Sequence, residues 1–216
     1  CSRPRHASGF DASEDERQSW VQHLWLSWEA APPPEGRSRE LHQPGGAYVQ
    51  VTERPTPEGG RVLTCHDVTQ MRQASQEIEN LAFYDSLTGL PNRRLLLDRL
   101  KQAIAMAGRT QRRGALLFLD LDHFKVLNDT RGHEIGDLLL KEVAQRLRGM
   151  VRSCDTVARL GGDEFVVMLC ELSANPEESA VQAQRVANKI LEALGQPYQL
   201  SGQSHRSACS IGAVLF

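Results

Sequence analysis

From residue 83 onward the apolar positions switch repeatedly between helical steps of three and four and short unbroken runs. Leu96, Leu100 and Ile104 step inward behind Asn92, whose side chain can cap a helix. Residues 115–121 form an apolar run of strand length. A helix is predicted over 136–151, with Leu140, Val143, Ala144, Leu147 and Met150 on one face. Residues 156–160 and 165–169 read as strands separated only by Gly-Gly-Asp-Glu. Asn175-Pro176 opens another helix, through Val186, Ile190 and Leu194 to Gly195, and 209–216 reads as a last strand. The order βαββαβ is that of a ferredoxin-like, palm-type sheet, so an α+β or α/β domain is expected over 83–216.

Upstream the pattern changes. Residues 47–67 read as a β-hairpin: alternating positions from Tyr48 to Thr52, a Pro/Gly-rich loop, then a second strand from Arg61. Val68, Met71, Ser75, Ile78 and Ala82 form a heptad seam, predicting a helical linker over 68–82. Such a seam is either the edge of a helix packed on its own domain or a parallel dimer stalk. Its place between two domains favours the stalk. Residues 1–47 are polar and Pro/Gly-rich, with a short amphipathic helix expected around Trp20, Trp25 and Trp28.

Composition narrows the function. The chain has 216 residues, 40% of them hydrophobic, and a net charge of −2, which argues against general nucleic-acid or membrane-surface binding. Its five cysteines (Cys1, Cys65, Cys154, Cys170, Cys209) are scattered and contain no C-x-x-C pair, a pattern suited to a reducing cytoplasm rather than to a disulfide framework or a zinc site. The apolar run at 114–119 is too short to cross a bilayer, and no signal peptide is visible. A cytoplasmic location is expected, with room for a membrane anchor upstream of a chain that begins with Cys. The apolar final residues read as a strand in a domain that continues further.

Two segments carry candidate chemistry. Asp120 and Asp122 end the strand 115–121. Carboxylates so placed are either a magnesium-binding pair or a solvated turn, because Mg²⁺ prefers oxygen ligands and takes few from protein. Gly161-Gly162 allows positive φ and close approach of backbone N–H groups to a phosphate, though it is also a good hairpin turn. A hairpin needs no paired acids at its tip, however, and Asp163 and Glu164 stand there. If the tip lies beside Asp120, with Lys125 nearby, the group suits metal-assisted phosphoryl or nucleotidyl transfer.

Several motifs occur in order: DSLTGLPNRR at 85–94, DLDHFKVLND at 120–129, GHEIGD at 132–137 and RLGGDEF at 159–165. Together they resemble the bacterial GGDEF diguanylate cyclases over roughly 81–216. The resemblance implies an enzyme that condenses two GTP into cyclic di-GMP with release of two pyrophosphates, working as a homodimer. It implies Mg²⁺ (or Mn²⁺) held by Asp120, Asp163 and the Leu121 carbonyl. It assigns help in deprotonating the 3′-OH to Asp163 or Glu164. The backbone of His123, Phe124 and Lys125, the Lys125 side chain, and Gly161 and Gly162 are expected to hold phosphates. Asn128 and Asp137 are expected to read guanine, and no histidine side chain receives a catalytic role. RSCD at 152–155 has the spacing of the family's R-x-x-D inhibitory site, which implies product binding by Arg152 and Asp155.

The hairpin followed by His66-Asp67-Val68-Thr69 resembles the end of a PAS domain, implying a partial sensor over 1–67. The family's later helix and strand, which bring further Lys and Arg to the triphosphate, are expected beyond residue 216. The stretch 184–200 is similar to GGDEF domains fused to an EAL phosphodiesterase. The alternative to a cyclase is therefore an inactive GTP-binding GGDEF module regulating such a partner.

Overall fold

The computed structural model describes residues 35–43 and 46–216, so the helix expected around Trp20–Trp28 lies outside the described residues. The chain divides into two compact units between Glu77 and Ile78.

In the first unit the hairpin is present as β2 (Tyr48–Pro55) and β3 (Arg61–Asp67), and a strand not expected from the sequence, β1 (Arg37–His42), pairs antiparallel with β2. Val49, Val51 and Glu53 share the buried face of β2. A buried carboxylate is tolerated only when paired, and Arg37 and Arg61 hold Glu53 at 2.5 and 3.1 Å. Helix α1 (Thr69–Phe83) follows. None of its residues is buried, and Met71, Ile78 and Leu81 are all more than 60% exposed.

The second unit is built on a four-stranded antiparallel sheet with the order β5-β6-β4-β9. Its strands are β4 (Arg113–Leu121), β5 (Thr156–Gly161), β6 (Glu164–Leu172) and β9 (Cys209–Leu215). Helices α2 (Arg93–Thr110), α3 (Phe124–Arg131), α4 (His133–Met150) and α5 (Pro176–Leu194) surround it. A small hairpin, β7 (Tyr198–Leu200) and β8 (Gln203–His205), precedes β9. The crossover β4–α3–α4–β5 leaves a gap that β6 fills, which is the split βαβ arrangement expected.

The two faces of the sheet are covered differently. Leu117, Leu119, Phe165 and Val167 pack beneath Leu139, Val143 and Leu147 of α4 and Ile190 and Leu194 of α5. Each such fully buried side chain contributes about 1.5–3 kcal/mol, so this cluster outweighs exposed ion pairs worth about 0–1 kcal/mol. The opposite face carries Ala158, Val166 and Met168, which pack against Leu96, Leu100 and Ala103 of α2. Ile104, expected inward, is 51% exposed. The buried stripe runs through Leu96, Leu100 and Ala103, and Ile104 lies about 100° further round the helix than Ala103. Asn92 caps α2 as expected, accepting from the N–H groups of Arg94 and Leu95 at 2.9 and 3.1 Å.

One buried contact fixes the hairpin that carries Gly161–Glu164. The Arg159 guanidinium donates to both oxygens of Asp85 at 3.0 and 3.1 Å and, through its Nε and other terminal nitrogen, to the Gly162 carbonyl at 3.0 and 2.7 Å. Thr88 adds its N–H and hydroxyl to the same Asp85 oxygen. The β5–β6 turn is thereby tied to the loop before α2. Burial pushes the Asp85 carboxyl up, but the donors from Thr88 and Arg159 outweigh it and hold the group below its ordinary value. A depressed folded pKa means stability that is present above the unfolded value, about 3.9, and lost as pH falls through the folded one. Asp85→Asn should therefore destabilise the protein by about 1.5–3 kcal/mol at pH 7. That difference should shrink below about pH 4, as read by urea unfolding at the two pH values; a constant difference would remove the pair from the acid response.

Candidate active site

Strand register gathers the acids. Asp120 lies opposite Glu164 across β4 and β6, and opposite Ser210 across β4 and β9. Asp163 stands in the tight turn, where Gly161 and Gly162 take φ of 142° and 53°. Only glycine enters such conformations freely, so the turn is short because both residues lack Cβ. Asp120 and Glu164 are exposed at the strand ends and Asp163 is half-buried. Burial, then the charges of Asp163, Glu164 and Asp122, push the Asp120 carboxyl above its ordinary value. Like charges held this close favour either a proton or a cation between them.

Asp122 is employed differently from Asp120. Its carboxylate accepts from the Ser210 hydroxyl at 3.0 Å, and its N–H donates to the Ala208 carbonyl. It fastens β9 to the end of β4. The D-x-D pair thus separates into one open acid and one structural acid.

The donor set suits a hard divalent ion. Among the described residues no three His, Cys, Asp or Glu side chains form a closed cage. Mg²⁺ does not need one, since it keeps several waters and binds through one or two carboxylates. The neighbouring carboxylate charges that help raise Asp120 are what such an ion would offset. Leu121 buries its side chain in the core, leaving only its carbonyl to contribute.

The segment after β4 forms α3, a helix too short for an apolar period to announce it in the sequence. His123 precedes it with a φ of 61° and provides no side-chain cap. The first-turn N–H groups of α3 therefore lack the usual capping oxygen, which is the condition for binding an anion there. Phe124 is buried and Lys125 exposed.

Asn128 is half-buried on α3, and its Oδ1 is buried with no partner among the described residues. It sits against Gly136 of α4, where a Cβ would meet Oδ1 at 1.9 Å. The exposed Asp137 is the next residue of α4. The α3–α4 packing thus brings both expected guanine-reading residues to one place.

Arg152 and Asp155 lie at the opposite end of the hairpin, in the turn between α4 and β5. Both oxygens of Asp155 are engaged, accepting from the N–H groups of Arg152 and Cys170 at 3.0 Å each. Arg152 is exposed beside a concavity of about 260 Å³ that Arg99, Arg148 and Asp155 also line. A larger groove of about 390 Å³ runs between α2 and the outer ends of β5 and β6. At the carboxylate site Asp120, Gly161, Gly162 and Glu164 are exposed. Arg159 and Asp85 meet across 74 residues, so neither role shows in a local motif; the one signal in the sequence is an Arg flanking a glycine turn.

The family profile for diguanylate cyclase, GGDEF domain, matches residues 82–216. The bifunctional diguanylate cyclase/cyclic di-GMP phosphodiesterase MucR of Pseudomonas aeruginosa is 49% identical over 148 residues, 68% of this chain and 21% of MucR. The chain spans 16–33% of the length of the curated relatives it matches. Among solved structures, the GGDEF domain of TpbB from Pseudomonas aeruginosa is 41% identical, with a TM-score of 0.58 over 62% of this chain and 75% of that one. The coiled coil and GGDEF domain of DgcB from Caulobacter crescentus, in complex with c-di-GMP, is 25% identical, with a TM-score of 0.60 over 69% and 77%. With its motifs in order and its acids gathered by a shared sheet, the chain belongs to the GGDEF diguanylate cyclase family.

Proposed function

We propose that this chain is the catalytic part of a diguanylate cyclase that joins two GTP molecules into cyclic di-GMP. The observation that carries this reading is the placement of Asp163 and Glu164 beside Asp120, at the sheet ends where burial and their charges push the Asp120 carboxyl above its ordinary value. Asp120, Asp163 and the Leu121 carbonyl would hold Mg²⁺ (or Mn²⁺), which when bound neutralises phosphate charge. Gly161 and Gly162 let the backbone approach the phosphates. The uncapped start of α3 at His123, Phe124 and Lys125, with the Lys125 ammonium, holds them electrostatically. Asp163 or Glu164 accepts the proton of the 3′-OH as it attacks the partner nucleotide's α-phosphorus. The bond to the β-phosphate breaks, and pyrophosphate leaves.

Each domain holds one GTP, so two copies must face each other. The exposed seam of α1, with Met71 and Ile78 open, supports a dimer through that helix. In the full-length protein with GTP and Mg²⁺, cyclic di-GMP should form at a rate rising faster than linearly with protein concentration until the dimer saturates. Asp163→Asn should abolish turnover with the fold intact by circular dichroism. GTP binding without product in the parent protein would replace the cyclase with a binding module.

The buried, unpartnered Oδ1 of Asn128 supports guanine recognition, with Asp137 accepting from the base. Gly136→Ala places a methyl where that oxygen lies, in a helix that alanine favours by about 1 kcal/mol. GTP affinity by calorimetry should fall about tenfold or more, the loss of one or two hydrogen bonds, with the fold intact by circular dichroism. Unchanged affinity would take Asn128 out of the nucleotide site.

Arg152 and Asp155 support a product site beside the α2–β5 concavities, with Arg152 the free-reaching donor to phosphate or guanine. Arg152→Ala should leave the initial rate unchanged while progress curves continue where the parent stalls. Identical stalling in both proteins would reduce the turn to a structural element.

A further inference from the structure

The β5–β6 pairing places Thr156 opposite Met168 and Ala158 opposite Val166. Two residues outward of that pair stand Cys170, still on β6, and Cys154, in the turn that leads into β5. Both cysteines line the groove beneath α2, together with Arg99, Met106 and Phe216. One oxygen of Asp155 touches both residues: it accepts from the Cys170 N–H at 3.0 Å and lies 3.8 Å from the Cys154 sulfur. Cys154 is exposed and Cys170 half-buried, whereas Cys209 is buried in the core.

We propose that Cys154 and Cys170 are a disulfide-forming pair, oxidised by a hydroperoxide, that clips the open end of the hairpin bearing Gly161–Glu164. The Asp155 oxygen that touches both residues holds them side by side at this end of the hairpin, and a disulfide needs their Cβ atoms about 3.5–4.5 Å apart. Residues 152–155 form a turn rather than strand, so Cys154 can move to that distance without breaking the β5–β6 ladder. Exposure assigns the order of events. The Cys154 thiolate attacks the terminal oxygen of the hydroperoxide, taking it with its hydrogen as a sulfenic acid and releasing the rest of the oxidant as an alkoxide (hydroxide when the oxidant is hydrogen peroxide). The Cys170 thiolate then displaces hydroxide from that sulfur to form the S–S bond. Two thiols and one hydroperoxide thus give one disulfide, water and the reduced remainder of the oxidant.

The surroundings set the tempo. Burial first and the Asp155 charge second push both thiols above their ordinary range. Thiolate is scarce near neutral pH, so oxidation is slow and quickens in base. Thiolates of high pKa are also poor leaving groups, so the bond, once formed, resists exchange. The device therefore answers sustained oxidant rather than a brief pulse, and it is independent of the cyclase reading.

The test is peptide mapping of the full-length protein after hydrogen peroxide treatment, without reduction. Cys154 and Cys170 fall in different tryptic peptides, 153–159 and 160–185. These should appear joined, within single chains and lighter by two hydrogens, with a yield rising with pH. Cys154→Ser should abolish the joined species, and Cys170→Ser should leave Cys154 as a sulfenic acid trapped by dimedone. Cys154 joined to another cysteine or to a second chain, or both thiols free while Cys65 is oxidised, would overturn the pairing.

Discussion

The register of β4 against β6 is the constraint on which the candidate site depends. Asp120 and Glu164 are far apart in sequence and meet only because their strands pair antiparallel at that position. A slip of one residue would turn Asp120 toward the core and Leu119 or Leu121 toward water, since side chains alternate across a strand. The buried alternation of Ala115, Leu117, Leu119 and Leu121 against Phe165, Val167 and Leu169 forbids that slip. Hydrophobic burial thus fixes acid geometry, and the repulsion among the acids at the sheet end is a small opposing term.

That register alone does not fix the turn. Gly161 and Gly162 confer conformational freedom that would leave Asp163 loosely placed, and the Arg159 guanidinium removes it by holding the Gly162 carbonyl. Asp85 then orients Arg159 from outside the sheet. Because the fork is planar and engages oxygens on two sides, a lysine at 159 would supply charge without the geometry. The acidic tip therefore rests on a basic residue that never reaches the open surface.

Much of this was legible in the sequence because the second unit's core residues repeat with clear periods. The strands at 115–121, 156–160 and 165–169 and the helix behind Pro176 follow from local pattern. Helix α3 did not, because Phe124 and Leu127 are its only buried residues and eight residues give too few turns for a period to show. The β7–β8 hairpin has three-residue strands, below the length at which alternation is readable. Ile104 misled because a step of four from Leu100 is as helical as the step of three to Ala103, and only the sheet beneath decides between them. In the site, the acids announced themselves by motif. The division of labour between Asp120 and Asp122 did not, because it depends on Ser210, on a strand 88 residues away.

The same division explains where the molecule leaves groups unsatisfied. Buried polar atoms are nearly always paired, and in the second unit Arg146 illustrates the rule, binding the carbonyls of Ala193, Gln196 and Pro197 and stacking on the Tyr198 ring at 3.7 Å. Among the described residues the Tyr198 hydroxyl is itself buried without a hydrogen-bond partner, and the orphan oxygen of Asn128, the left-handed His123 and the raised Asp120 fall together along residues 120–128. Strain and unmet polarity of this kind persist only where the surrounding structure holds them in place. Here β4 before the segment and α4 behind it do so. A segment optimised for stability alone would cap α3, pair Asn128 and replace an acid. That none of these has happened along one continuous stretch is what a nucleotide with charged phosphates and a polar base edge would require of it.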